Sequence, residues 1–333
     1  MLNQQLKKYF GFDSFLAGQK TVISRVLERK SSAAIFPTGA GKSLCYQLPA
    51  MLLPGMTLVV SPLLSLMKDQ LDFLKDKKIP AARLDSTLES SDYNSIIEAA
   101  RNGTLKILMI SVERFKNERF RFHLEKMDVT LLVIDEAHCI SEWGHNFRPE
   151  YLKLPAYQEA FGIEQILLLT ATATKRVIDD MCTKFRLLRE NVFVTGFYRD
   201  NLFLQVSPTT TSEKEDHLLQ RIRKAPQAAT IVYVTLQKTA ERVAAFLVRQ
   251  GIAAQPYHAG MQTVERERIQ NDFMQGQMAC VVATIAFGMG IDKRDIRRVI
   301  HFDLPKSIEN YSQEIGRSGR DGEPALCEVL ANR

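Results

Sequence analysis

Residues 33–47 read AAIFPTGAGKSLCYQ, a short apolar run, a glycine-containing loop and the start of an amphipathic stretch. Gly39 and Gly41 permit a backbone whose N–H groups converge on phosphate oxygens, and a helix that follows aims its positive dipole end at the same place. With Thr38 and Ala40 completing the loop, Lys42 is placed to neutralise β- and γ-phosphates, and the Ser43 hydroxyl to ligate Mg²⁺. The strict pattern wants Gly where this chain has Phe36, so a glycine turn on a strand–helix junction remains open for this segment alone. The segment LLVIDEAH, 131–138, narrows that choice. An apolar strand ending in two acids delivers them to the carboxyl edge of a sheet, where ligands of open α/β folds bind. Asp135 suits the Mg²⁺ shell and Glu136 suits the attacking water, a division of labour that in-line phosphoryl transfer requires.

Such groups need a parallel sheet to hold them. The runs 33–36, 57–60, 107–110, 131–134 and 166–169 are apolar enough for buried strands, and helical patterns at 63–75 and 91–101 lie between them. The rhythm breaks over 195–213, a stretch rich in turn formers, and resumes with strands at 230–234, 280–283 and 298–302 and a helix over 237–250. That helix rests on Ala240, Val243, Ala244, Leu247 and Val248 at helical spacing. The expected architecture is α/β, two tandem units with mostly parallel sheets flanked by helices.

The 333 residues suit two domains rather than one. A net charge of +6 is compatible with a polyanionic partner and does not establish one. The five cysteines are far apart and lack paired C-x-x-C spacing, which gives no support to a zinc ribbon or a disulfide scaffold; no zinc is expected. His138 and His258 lack a second ligand at metal spacing, so coupling or packing roles are favoured. No apolar run is long enough to cross a bilayer and MLNQQLKKYF has no leader character, so a cytoplasmic protein without a membrane partner is expected.

The ordered segments GFDSFLAGQ, FPTGAGKS, VVSPLLSLMKDQ, ISVERF, DEAHCISEWGHNFRPEY, LTATAT, YHAGM, VVATIAFGMGIDK and YSQEIGRSGRDG together resemble the catalytic core of the RecQ-like DNA helicases of superfamily 2. The aromatic-rich continuation after DEAH is what narrows the superfamily to this branch. The resemblance implies two tandem RecA-like lobes, an ATP-binding lobe at 1–198 and a helicase C-terminal lobe at 199–333. It implies ATP and Mg²⁺ as cofactors and single-stranded and tailed duplex DNA as partners. Gln19 would read adenine with Phe12 stacking on it; Leu16 stands where relatives often carry Arg, which thins the base contacts. Phe15 is better explained by core packing.

Trp143, the only tryptophan, together with His145, Phe147 and Arg148 forms a loop suited to unpaired bases and phosphate, and by resemblance it senses DNA and licenses hydrolysis. A core anchor is the competing reading of Trp143. Ser61, Lys68, Ser111 and Arg114 become DNA-backbone contacts by resemblance, although a solvated helix face explains Lys68 nearly as well. Thr170 and Thr172 would link the nucleotide site to lobe movement, while a helix cap explains Thr174.

Arg317 and Arg320, three apart, are expected on one helical face, with Arg320 as the arginine finger and Arg317 and Gln313 assisting. Gly290 and Asp292 would reach the ribose, and Thr284 the DNA. The resulting expectation is a monomeric DNA-stimulated ATPase that unwinds duplexes 3′ to 5′ in repair or recombination. An RNA helicase, an ATP-gated clamp without movement, and an unrelated P-loop enzyme are the alternatives. Relatives commonly continue into zinc-binding and winged-helix modules, so the length suggests a motor core.

Overall fold

The computed structural model describes residues 1–62, 64–85, 88–143, 147–196, 199–288, 291 and 293–332, and the side chains of all these but 64–66. The chain divides into two compact units, residues 1–197 and 198–333.

In the first unit, seven strands among the described residues form one sheet. In chain order they are β1 (Ser32–Ile35), β2 (Met56–Val60), β3 (Ala81–Leu84), β4 (Ile107–Ile110), β5 (Val129–Ile134), β6 (Ile166–Thr170) and β7 (Val192–Val194). Their spatial order is β3-β4-β2-β5-β6-β1-β7, and neighbouring strands all pair in parallel. Parallel strands cannot be joined by tight turns, and the crossover helices that join them cover both faces. Two apolar layers result. Ile35, Leu58, Ile110, Ile134 and Leu168 belong to one, and Ala34, Val59, Met109, Val133 and Leu167 to the other. Full burial of each large aliphatic side chain contributes about 1.5–3 kcal/mol. The central strands therefore read as unbroken apolar runs, whereas β3 and β7, at the borders, are only partly covered.

The second unit repeats the plan. Its strands β8 (Leu202–Thr209), β9 (Thr230–Tyr233), β10 (Ala254–Tyr257), β11 (Cys280–Ala283), β12 (Arg298–His301) and β13 (Ala325–Asn332) lie in the order β10-β11-β9-β12-β13-β8, again parallel. The helix Gln237–Arg249 turns Ala240, Val243, Ala244 and Leu247 inward, while Val248 is exposed. The border strand β8 carries Phe203, Leu204 and Val206 into solvent. Among the described residues no helix is long and apolar enough to cross a membrane.

Candidate nucleotide and nucleic-acid site

Strand β1 runs into the 36–43 loop and then the helix Leu44–Leu52. Gly39 (φ 86°) and Gly41 (φ 67°) occupy the left-handed region that side chains disfavour. Gly41 is required for space as well, since a Cβ there would lie 2.5 Å from the Gln19 amide nitrogen. Buried Gln19 clamps the loop: its Nε2 donates to the carbonyls of Ala40 (3.3 Å) and Gly41 (3.0 Å), and its Oε1 accepts from Leu16 N at 2.8 Å. Lys42 Nζ donates to the Phe36 and Pro37 carbonyls at 3.0 and 3.4 Å. Ser43 stands at the helix start without a side-chain capping bond. Phe36 is fully buried, and its ring fills the space beside Gly18, where a Cβ would come within 2.7 Å of it. The departure from the strict glycine pattern is thus a core residue at the end of a strand.

The acids stand at the end of β5, two strands from β1, with β6 between. Asp135 N–H donates to Val60 O at 2.9 Å and extends the β2–β5 ladder. One carboxylate oxygen accepts from Ser61 Oγ at 3.2 Å, the other from Glu136 N at 3.0 Å. Burial, then the neighbouring Glu136, pushes Asp135 up to about 6 against the opposing pull of Lys42, so the loop lysine and this acid already feel each other. Glu136 has φ 50°, a strained backbone for a side-chain-bearing residue. The chain continues only into the short 3₁₀ turn Ala137–Ile140, which has no side-chain cap, so a helix dipole is a poor account of two acids.

Buried His138 joins this site to β6. Its Nδ1 lies 2.8 Å from Thr170 Oγ1 and 3.2 Å from Glu136 Oε2. Burial disfavours its charge, but Cys139 and Glu136 outweigh that and hold it up at about 10. Thr170 Oγ1 in turn donates to Thr172 O at 3.0 Å. Thr174 then caps the helix Lys175–Phe185, accepting from Val177 N at 3.3 Å, as its sequence position suggests.

Not every expected grouping is found. Ser61 is buried against Asp135 rather than presented at an outer surface, so it belongs with the acids. Lys68 is exposed on the helix Leu64–Asp76. Ser111 precedes the 3₁₀ turn Val112–Lys116, and Arg114 donates to Asp85 O at 2.6 Å with its guanidinium 5.9 Å from the Tyr93 ring. Trp143 is 63% exposed, which removes the core-anchor reading. Phe147 and Arg148 are half-buried, and Arg148 N–H donates to Cys139 O at 3.0 Å. Phe12 is exposed, whereas Phe15 packs against the core. His145, Gly290 and Asp292 lie outside the described residues.

In the second unit, buried Thr284 follows β11 with its N–H on Tyr257 O at 3.1 Å. Gln313 is half-buried on the helix Ile308–Ile315. The expectation that Arg317 and Arg320 share a helical face is corrected: the helix ends at Ile315, and both arginines lie in the turn after it. Gly316 closes the helix, and Gly319 (φ 56°) reverses the chain. Main-chain bonds from Gly319 N to Ile296 O (2.9 Å) and Arg320 N to Arg294 O (3.0 Å) hold the turn, and the Arg317 guanidinium donates to Gly288 O. The turn still brings the two cations together. Burial pushes the Tyr233 phenol up to about 12, and both guanidiniums pull against it.

Sequence reasoning missed three bonds that shape the site: Ser61 to Asp135, His138 to Thr170, and the Tyr151 hydroxyl to Asp135 O at 3.3 Å. Each crosses between strands or loops, and local spacing carries no signal for such contacts.

Two family models match the chain, DEAD/DEAH box helicase over residues 17–181 and helicase conserved C-terminal domain over 213–322. Among curated relatives, the ATP-dependent DNA helicase RecQ of Bacillus subtilis is 42% identical over 98% of this chain and 55% of its own length. The probable ATP-dependent DNA helicase RecS of the same organism is 42% identical over 99% of this chain and 66% of its own. RecQ of Pasteurella multocida is also 42% identical, over 96% of this chain and 50% of its own. The chain thus spans about half to two-thirds of the length of these relatives. Among solved structures, the DUF1998 helicase MrfA bound to DNA has a TM-score of 0.79 at 18% identity, covering 100% of this chain and 48% of that one. Dbp5 of Saccharomyces cerevisiae bound to RNA and ADP BeF3 has a TM-score of 0.76 at 18% identity, covering 99% and 87%. At such identity the structural likeness establishes the fold, two tandem RecA-like units.

Proposed function

Since the chain belongs to the RecQ-like helicases of superfamily 2, we propose that it is an ATP-dependent DNA motor, moving 3′ to 5′ on single strands and separating tailed duplexes. The single observation that carries this reading is the grouping of Lys42, Asp135 and Glu136 at one sheet edge, with Asp135 buried and responsive to both neighbours. Residues 1–198 act as the ATP-binding lobe and 199–333 as the partner lobe.

Hard oxygen donors, Ser43 and Asp135, fit Mg²⁺, which when bound supplies charge neutralisation at the β- and γ-phosphates. Loop N–H groups between Thr38 and Ser43 receive phosphate oxygens, and Lys42 exchanges its carbonyl partners for them. Phe12 serves the base end of the nucleotide, and Gln19 joins it by exchanging its Ala40 and Gly41 carbonyl partners for the adenine edge. Glu136 orients the attacking water and accepts its proton; His138 holds that carboxylate in place and passes its position to Thr170 and Thr172. Arg320, assisted by Arg317 and Gln313, stabilises charge on the transferring phosphoryl group, while Gly290 and Asp292 serve the ribose.

Trp143, His145, Phe147 and Arg148 sense the strand, and Lys68, Ser111, Arg114 and Thr284 touch its backbone. The relatives' names as DNA helicases support DNA over RNA as substrate. The test is ATP hydrolysis with no polymer, single-stranded DNA or RNA, followed by strand displacement on 3′- and 5′-tailed duplexes. DNA-stimulated turnover with displacement of the 3′-tailed substrate is the expected result. Equal turnover with and without DNA would overturn it.

A further inference from the structure

The helix Lys175–Phe185 does more than follow the 169–174 segment in sequence. Arg176 places its guanidinium carbon 4.9 Å from the centroid of the Trp143 ring. One turn later, Asp180 accepts from Ser141 Oγ at 2.5 Å, and that same hydroxyl oxygen accepts from Trp143 N–H at 3.2 Å. Residues four apart share a helical face, so one face of this helix meets both the ring and the stem of the tryptophan segment. We propose that Arg176 and Asp180 are positioning residues that latch Trp143, fixing the plane on which an unpaired base stacks.

Trp143 is 63% exposed, so the surrounding core cannot fix its rotamer, and an unfixed ring is a poor stacking surface. A cation over one face of an indole is held by the ring quadrupole and leaves the opposite face for a base. The helix that supplies the cation begins at the Thr174 cap, directly after the Thr170–Thr172 bond that reaches His138 and Glu136. The latch therefore ties the stacking plane to the segment beside the Glu136 carboxylate, which gives base stacking a mechanical route to hydrolysis. Asp180 also has Lys184 at 4.0 Å, one turn further along the same helix.

The positioning role rests on the proposed DNA-sensing role of Trp143, but the latch can be read separately because the chain has a single tryptophan. Its emission reports this site alone. The variants are Arg176→Ala, Arg176→Lys and Asp180→Asn in the full chain, with helicity measured to establish folding; Arg176 is on the surface, so its replacement spares the core. Arg176→Ala should alter Trp143 emission and raise its quenching by acrylamide. It should also raise the single-stranded DNA concentration that half-stimulates ATP hydrolysis by about tenfold, the order expected for one weakened stacking contact, with a smaller effect on the maximal rate. Arg176→Lys should recover part of both effects, and Asp180→Asn should move both in the same direction as Arg176→Ala. Unchanged emission in Arg176→Ala and Asp180→Asn would overturn the latch, and altered emission with unchanged DNA dependence would overturn its positioning role. If DNA fails to stimulate the unmodified protein, the DNA-sensing reading falls and the positioning role falls with it, while emission still decides whether Arg176 holds the ring.

Discussion

The two units share an all-parallel plan but anchor their charged groups in different ways. In the first, the groups are tied to one another across strands: Ser61 after β2 to Asp135 after β5, Glu136 to His138, and His138 to Thr170 of β6. In the second, Arg317 and Arg320 sit in a turn held chiefly by main-chain bonds to Ile296 and Arg294. Side-chain ties fix a geometry tightly and at a distance from solvent. A main-chain tie fixes where a long cationic arm begins, and the Arg317 arm is further held by its bond to Gly288 O. The contrast is between acids fixed by side chains from neighbouring strands and arginines placed by the turn that carries them.

The largest expected effect tests that division directly. Arg320→Ala should lower DNA-stimulated turnover by about 10³-fold, the scale of a lost arginine finger, and Glu136→Gln by about 10²-fold, the lower range for a lost general base. Single-turnover hydrolysis beside a nucleotide-binding assay separates the two steps, and binding should survive both changes. A larger loss for Glu136→Gln than for Arg320→Ala would reverse the comparison.

Next in size is a stability difference between the units. Glu328 of β13 is fully buried and accepts from Ser207 (2.6 Å), His217 (2.8 Å) and Arg221 (3.0 Å). Burial raises the carboxyl's pKa, but these three partners outweigh it and leave it lowered. A group lowered in the folded state adds stability above its unfolded value, near 4.5, and loses it as pH falls through the folded one. The second unit should therefore weaken below about pH 4.5, and Glu328→Gln should cost it about 3 kcal/mol at neutral pH by leaving Arg221 without its buried partner. Trp143 lies in the first unit, so a denaturant transition seen in helicity but not in tryptophan emission marks the second. The smallest effect is in the first unit: Thr174→Ala removes a helix cap and should cost about 1 kcal/mol, visible in both signals.

The parallel strands were legible because burial on both faces writes each one as a continuous apolar run, as in 107–110 and 280–283, which coincide with β4 and β11. The glycine loop was legible because its conformation demands glycine at 39 and 41. The placement of Ser61 was not, since it depends on β2 lying beside β5, a pairing of residues far apart in sequence. The turn carrying Arg317 and Arg320 was misread as helical because their spacing suited a helix, while the helix had already ended at Ile315 with Gly316 as its cap. Local pattern reports periodicity and backbone exceptions; which strand neighbours which is settled only by packing.

The exposed border strand β8 has a consequence for anyone handling the protein. Eight residues long, with Phe203, Leu204 and Val206 exposed, it pairs among the described residues on one side only, with β13, and Pro208 breaks its row of main-chain donors only near its end. Borders of this kind template strand addition from another molecule. Recovery from denaturant should therefore fall as concentration rises, and a lysine at Leu204 is the change to make before attempting concentrated samples.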